Sequence, residues 1–151
     1  MPKRQVNWPY QGKEILNLDD MPAGVLGVIY KIYLLDGSET YYIGRKTVNS
    51  KRKKRLTKKE KELPENTRKT FKYVEVESAW KKYTGSSKAL NEVLKKSVKY
   101  EKEIIKYCFS KAEMTYSETA EIICSNALLD DKCFNFWVSA RIYKKHLNKD
   151  I

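Results

Sequence analysis

The stretch GVIYKIYLLDGSETYYIGRK, residues 27–46, decides how this chain is read. Two runs rich in β-branched and aromatic residues flank Asp36-Gly37, the pattern of a β-hairpin. It carries four tyrosines, Tyr30, Tyr33, Tyr41 and Tyr42. If Asp36-Gly37-Ser38 is a three-residue loop closed by Leu35 and Glu39, Ile32 opposes Tyr42 and Tyr30 opposes Gly44. Tyr30 and Tyr42 then share a face as diagonal neighbours. A two-residue loop would put them on opposite faces. In this register Gly44 leaves room above the backbone for a ligand. Strand tyrosines are also ordinary half-buried aromatics, which is the competing reading.

Outward on the N-terminal side, residues 1–24 read as an extended lead-in punctuated by Pro9, Gly12, Pro22 and Gly24, with Trp8, Tyr10, Ile15 and Leu16 packing on the domain. On the other side, residues 49–66 read as a basic, flexible loop. Eight of the eleven residues Lys51 to Lys61 are Lys or Arg, and like charges in a block repel. Such a loop could neutralise phosphates and order on DNA. Phe71 to Tyr83 is ambiguous between strand and helix, and Thr84-Gly85-Ser86-Ser87 is a break. Ser86 or Ser87 caps a helix through Leu90, Val93 and Leu94 to about Lys96. Glu101 to Phe109 reads as a third strand. A helix from about Thr115 to Asp130 follows, with Tyr116, Ala120, Ile123 and Ala127 as its apolar face. Thr115 and Glu118 fit a capping box there. Phe134, Phe136, Trp137, Ile142 and Tyr143 are apolar enough to pack. There is no internal repeat, so residues 1–151 read as a single domain.

Composition narrows the partner. With 31 Lys and Arg against 19 Asp and Glu, the formal net charge is +12, which points to a polyanion: DNA, RNA or an anionic membrane. No apolar run approaches the roughly 18–20 residues of a spanning helix, and the N-terminus has no signal-peptide core. The expectation is therefore no membrane and a cytoplasmic location. Cys108, Cys124 and Cys133 lack zinc spacing and read as small buried residues. A single histidine, His146, excludes a His pair and leaves tyrosine, carboxylate and basic groups for any chemistry.

Val28-Ile29-Tyr30, eleven intervening residues and Tyr42-Ile43-Gly44, followed much later by Glu118 on a helix and Asn135, is similar to the signature of the GIY-YIG nuclease family. Trp8-Pro9-Tyr10, Arg45-Lys46, Trp80, Tyr83-Thr84-Gly85-Ser86-Ser87-Lys88 and Tyr116-Ser117-Glu118 extend the resemblance over nearly the whole chain, toward small GIY-YIG-like endonucleases of tailed bacteriophages. The resemblance implies an α+β fold, a small three-stranded antiparallel sheet flanked by helices. It implies metal-dependent hydrolysis of phosphodiesters in double-stranded DNA, with one divalent ion, Mg²⁺ or Mn²⁺, held by Glu118. Tyr30 resembles the residue that deprotonates or positions the attacking water, and Tyr42 the second active-site tyrosine. A phenol with an unperturbed pKa near 10 needs cations to lower it, and the basic surround is expected to do so.

The sequence departs from the family pattern at Val28, where a glycine is usual, and in its lack of one distinct phosphate-clamping arginine. Arg45 and Lys46 are favoured for that role, with Arg52, Arg55 and Lys81 as rivals. Lys51, Arg52, Lys53, Lys54, Arg55, Trp80, Lys81 and Ser86 are candidate nucleic-acid contacts, Trp80 and Tyr83 being core residues on the plainer reading. Glu121 rivals Glu118 as ligand, Glu118 then serving only its cap. With no separate recognition domain in view, specificity is either built into the basic run and the 71–96 segment or lax, and control by homo-oligomerisation is conceivable. The alternative function is a catalytically silent nucleic-acid-binding protein on the same scaffold.

Overall fold

A computed structural model describes residues 8–150. The part of the expected lead-in before Trp8 lies outside the described residues. In chain order the elements are β1 (Trp8–Tyr10), β2 (Lys13–Ile15), β3 (Gly27–Leu34), β4 (Tyr41–Thr47), β5 (Asn49–Arg55), α1 (Lys58–Lys61), β6 (Phe71–Glu77), α2 (Lys88–Lys95), β7 (Tyr100–Cys108) and α3 (Lys111–Cys124).

The hairpin register is the one the three-residue loop requires. Tyr30 pairs with Gly44 and Ile32 with Tyr42. Gly37 and Glu39 supply the positive φ angles, 84° and 57°, that turn the chain. β3 also pairs antiparallel with β7, with a bulge beside Tyr30. The expected three-stranded sheet is therefore only the β7-β3-β4 part of a larger one. The full order is β2-β1-β7-β3-β4, mixed because β1 runs parallel to β7. The described part of the lead-in packs on the domain through Trp8, Tyr10 and Ile15 as expected, and does so partly as the strands β1 and β2. Trp8 and Ile15 bury their side chains, and the β7 edge gains backbone partners. Leu16, expected to pack, is half-exposed.

The basic run is corrected as well. The segment expected as a loop over 49–66 begins with a seven-residue strand, β5, joined antiparallel to β6 in a separate two-stranded ribbon. Alternation places Lys51, Lys53 and Arg55 on one face with Phe71 and Tyr73. The Lys53 ammonium sits 4.0 Å over the Phe71 ring, so cation–π contact spaces the charges. Phe71 to Tyr83 thus resolves into strand followed by a short 3₁₀ turn at Trp80–Lys82.

α3 starts earlier than expected. Its cap is Ser110, whose hydroxyl accepts from the Glu113 N–H, while the Glu113 carboxylate accepts from the Phe109 N–H. Thr115 lies inside the helix, so Glu118 has no capping duty. The buried face is also rotated from the expected one. Met114, Ser117 and Ile122 are buried, while Tyr116 and Ile123 are exposed. Of the cysteines, Cys108 and Cys133 are buried as expected and Cys124 is exposed.

The sheet separates two cores. One face holds Val28, Tyr30, Ile32 and Tyr42 with Trp8, Trp80 and Leu90. The other holds Ile29, Ile43, Cys108, Met114 and Ile122. Within the first core lies Lys102, 2 % exposed. Its ammonium donates to the carbonyls of Lys81 and Tyr83 at 3.0 and 3.3 Å and lies 4.2 Å over the Trp8 ring. Burial lowers its pKa from 10.5 to about 8. Because the folded state releases this proton before the unfolded one does, its contribution is present above pH 10.5 and lost as pH falls through about 8. Urea unfolding should show stability rising between these limits, by an amount that Lys102→Met removes. A flat difference between the two proteins would sink the assignment.

Candidate active site

β4 is the edge strand of the sheet, and its alternation sends Tyr42, Gly44 and Lys46 to one core while Ile43 and Arg45 turn to the other. A groove of about 690 Å³ straddles this edge. Tyr42, Tyr83 and Ser86 line one wall, Thr115, Glu118 and Thr119 of α3 the other, and Arg45 lies between them. The segment from Phe134 to Ser139 completes the rim.

The tyrosine pair shares a face, as the register demands, with ring centroids 6.3 Å apart. The space above Gly44 is not open to a ligand, however. A Cβ there would stand 2.5 Å from the Tyr30 hydroxyl and 2.8 Å from Tyr42 Cε1. A Cβ at Gly85 would stand 2.7 Å from Tyr42 Cε1 and 3.1 Å from the Tyr30 hydroxyl. The Tyr30 hydroxyl therefore lies in a slot between two glycines. Only Tyr42 forms part of the groove wall, since Tyr30 is 1 % exposed. Gly85 is itself placed by α2. Ser87 caps that helix, and Asn91 in its first turn donates to the Gly85 carbonyl and accepts from the Thr84 hydroxyl.

Electrostatics reverse one expectation. Burial pushes both phenols above their usual pKa of 10, and the Glu118 carboxylate pushes the same way, so the basic surround does not lower them. Ser86 opposes the shift at Tyr42, where its hydroxyl and backbone amide bond the phenol oxygen. Glu118 is also raised by burial, with Arg45 pulling it back. The Arg45 Nε sits 3.2 Å from Glu118 Oε2, and its Nη1 donates to the Thr115 hydroxyl.

The fold gathers Tyr42, Arg45, Ser86 and Glu118, with Tyr30 directly behind. Lys46 stays on the tyrosine face, 4.3 Å over the Tyr83 ring, and does not line the groove. Trp80 is fully buried with its indole N–H on Glu77, so it offers no stacking surface. Lys81 donates to Asn17 instead. Lys51 to Arg55 stand on the ribbon. Glu121 is not a groove residue, and its charge is felt at Tyr33. Asn135 braces backbone: its side chain accepts from the Ile43 N–H at 2.9 Å and donates to the Ile43 carbonyl at 2.8 Å. Thr119 has no signal of its own in the sequence, while Thr115 reads there as a helix cap and Gly85 as part of a chain break rather than as site residues. Thr119, one residue after Glu118, was recoverable once the helix phase was known.

Residues 8–139 match the family model described as "Putative endonuclease segE, GIY-YIG domain". The chain belongs to the GIY-YIG endonuclease family. No curated protein and no solved structure gives a match. Within this GIY-YIG domain Val28, which stands where a glycine is usual, is fully buried among core residues. The glycine one position earlier, Gly27, is the one that cannot be enlarged: a Cβ would meet the Met114 side chain at 2.5 Å. In the GIY-YIG site as folded here, a single carboxylate, a guanidinium and a phenol converge, a set suited to binding and polarising a phosphodiester. Among the described residues no helix is long and apolar enough to cross a membrane.

Proposed function

We propose that the protein is a metal-dependent endonuclease that hydrolyses phosphodiester bonds of double-stranded DNA. The observation that carries this is the convergence of Glu118, Arg45 and Tyr42 on one groove. The donor set fits a hard, oxygen-preferring cation. Among the described residues no cluster of three or more His, Cys, Asp or Glu exists, but Mg²⁺ or Mn²⁺ is content with one carboxylate, waters and substrate phosphate oxygens. Burial leaves Glu118 short of compensating charge, which favours a cation beside it. A divalent ion bound there would neutralise charge on the phosphate and make a nearby water more acidic.

The protein's own groups divide the remaining work. Arg45 spends two N–H groups on Glu118 and Thr115, and the rest of its five-donor fork is left for a phosphate oxygen. Tyr42, neutral at pH 7, is oriented by Ser86 to hydrogen-bond the attacking water or a phosphate oxygen. Tyr30 backs it through the glycine slot. On the ribbon, Lys51 to Arg55 are exposed and contact the DNA backbone. On this reading the enzyme is phage-encoded and acts on DNA in the host cytoplasm, as the resemblance of its motifs to those of phage endonucleases suggests.

Supercoiled plasmid incubated with protein should be nicked or linearised only when Mg²⁺ or Mn²⁺ is added. Retained binding without cutting under either metal would favour the silent binder, which the Arg45–Glu118 pairing already allows for. Replacing Lys51, Lys53 and Arg55 by serine should lower the slope of log K against log salt by about 3, at roughly 0.9 for each phosphate no longer neutralised. An unchanged slope would remove the ribbon from the interface.

A further inference from the structure

Phe136 and Trp137 are the most exposed aromatic side chains among the described residues. Both were expected to pack, yet they are 74 % and 73 % exposed while lining the groove with Arg45 and Glu118. They are not on a loose tail. Before them, the Phe134 N–H donates to the Tyr41 carbonyl at 2.8 Å and Asn135 grips Ile43 in both directions. After them, Val138 packs on the second core. Both sides of the pair are thus pinned, and its two side chains are left out at the rim of a charged groove. Exposed aromatic area held in place at the rim of a groove marks a surface suited to a flat, apolar ligand group.

We propose that Trp137, assisted by Phe136, is a nucleobase-stacking platform that holds a base unstacked from duplex DNA beside the scissile phosphate. The proposal rests on the DNA-cleaving reading of the groove and assigns the base-contacting part of it. A phosphate seated at Arg45 brings its flanking bases to this rim, and a base is the flat apolar surface that a +12 protein with a phosphate site would meet there. Unstacking also opens the backbone at the cut, and mismatched or damaged steps unstack most easily. Stacking tolerates every base, so the platform favours deformable steps rather than one sequence.

The fluorescence of this chain isolates the residue. Trp8 and Trp80 are 1 % and 0 % exposed, so Trp137 supplies the tryptophan emission that acrylamide can quench. The Glu118→Gln protein, with cleavage removed, is mixed with a mixed-sequence DNA duplex or with inorganic polyphosphate, a polyanion without bases. Acrylamide quenching should fall on DNA and stay unchanged on polyphosphate, binding of each being followed separately by sedimentation. Trp137→Ala should weaken duplex binding about 5- to 100-fold, with Trp137→Phe restoring most of it. DNA bound with Trp137 still quenchable, or polyphosphate shielding it equally, would overturn the platform and leave the nuclease reading standing. Failure to bind DNA at all would overturn both.

Discussion

Glu118→Gln is expected to lower DNA cleavage by about a thousandfold, equivalent to roughly 4 kcal/mol on the barrier. Glutamine keeps the shape of the side chain and loses the charge, and among the groove residues no second carboxylate can take over. The fold should survive. Arg45–Glu118 is a partly exposed pair, with side chains 42 % and 23 % accessible, so its contribution to stability is small. Burial of the carboxylate opposes even that. Arg45, freed from its partner, adds positive charge to the groove, so DNA binding should be unchanged or tighter. The pair of measurements that decides is cleavage rate and duplex affinity for the same preparation. Cleavage within tenfold of the parent would mean that Glu118 is not the essential carboxylate.

Gly44→Ala should damage the site from beneath. The new methyl would lie 2.5 Å from the Tyr30 hydroxyl, 2.7 Å from its Cζ and 2.8 Å from Tyr42 Cε1. Tyr30 has nowhere to go, because Trp8, Tyr42 and Tyr83 surround its ring at 5.1, 6.3 and 6.2 Å. Overpacking of this kind costs about 1–3 kcal/mol. Displacement of both phenols should lower cleavage about a hundredfold, the scale set by misplaced catalytic groups. Gly37→Ala is the control. It strains a left-handed turn at φ 84° with nothing within 4 Å of the new methyl, so it should cost about 1–2 kcal/mol and spare kcat. A Gly44→Ala protein with parental Tm and parental cleavage would show that the slot is not tight.

Local chemistry made part of this legible in the sequence. The hairpin register followed from loop length, and with it the shared face of Tyr30 and Tyr42. That α2 is capped by Ser86 or Ser87 followed from a Gly-Ser-Ser break ahead of an apolar run, and the fold uses Ser87. The helix carrying Glu118 was harder, because Ser110 with Glu113 and Thr115 with Glu118 both satisfy a capping box. Burial of Met114 and Ile122 against the sheet chose between them, and that contact is not local. β1 escaped notice for the same reason, since its partner β7 lies some ninety residues on and pairs in parallel. For β5, charge repulsion argued for a loop. What makes it a strand is the matching of Lys53 and Arg55 with Tyr73 and Phe71 across the ribbon. Trp80 and Trp137 show the limit of residue type: both are large and apolar, and only tertiary packing buries one and exposes the other.

Asn135 has a bearing on how the molecule behaves in a crowd. An outermost strand with free amide and carbonyl groups invites a neighbouring copy to add on and start a continuous sheet. Here the outer edge of β4 is occupied at Tyr41 by the backbone of Lys132 and Phe134, and at Ile43 by the Asn135 carboxamide. Backbone at Tyr41 and a single side chain at Ile43 thus end sheet growth at the strand that carries Tyr42 and Arg45. Asn135→Leu would open the edge at Ile43, and its expected signature is self-association that deepens with concentration and hides the groove between copies.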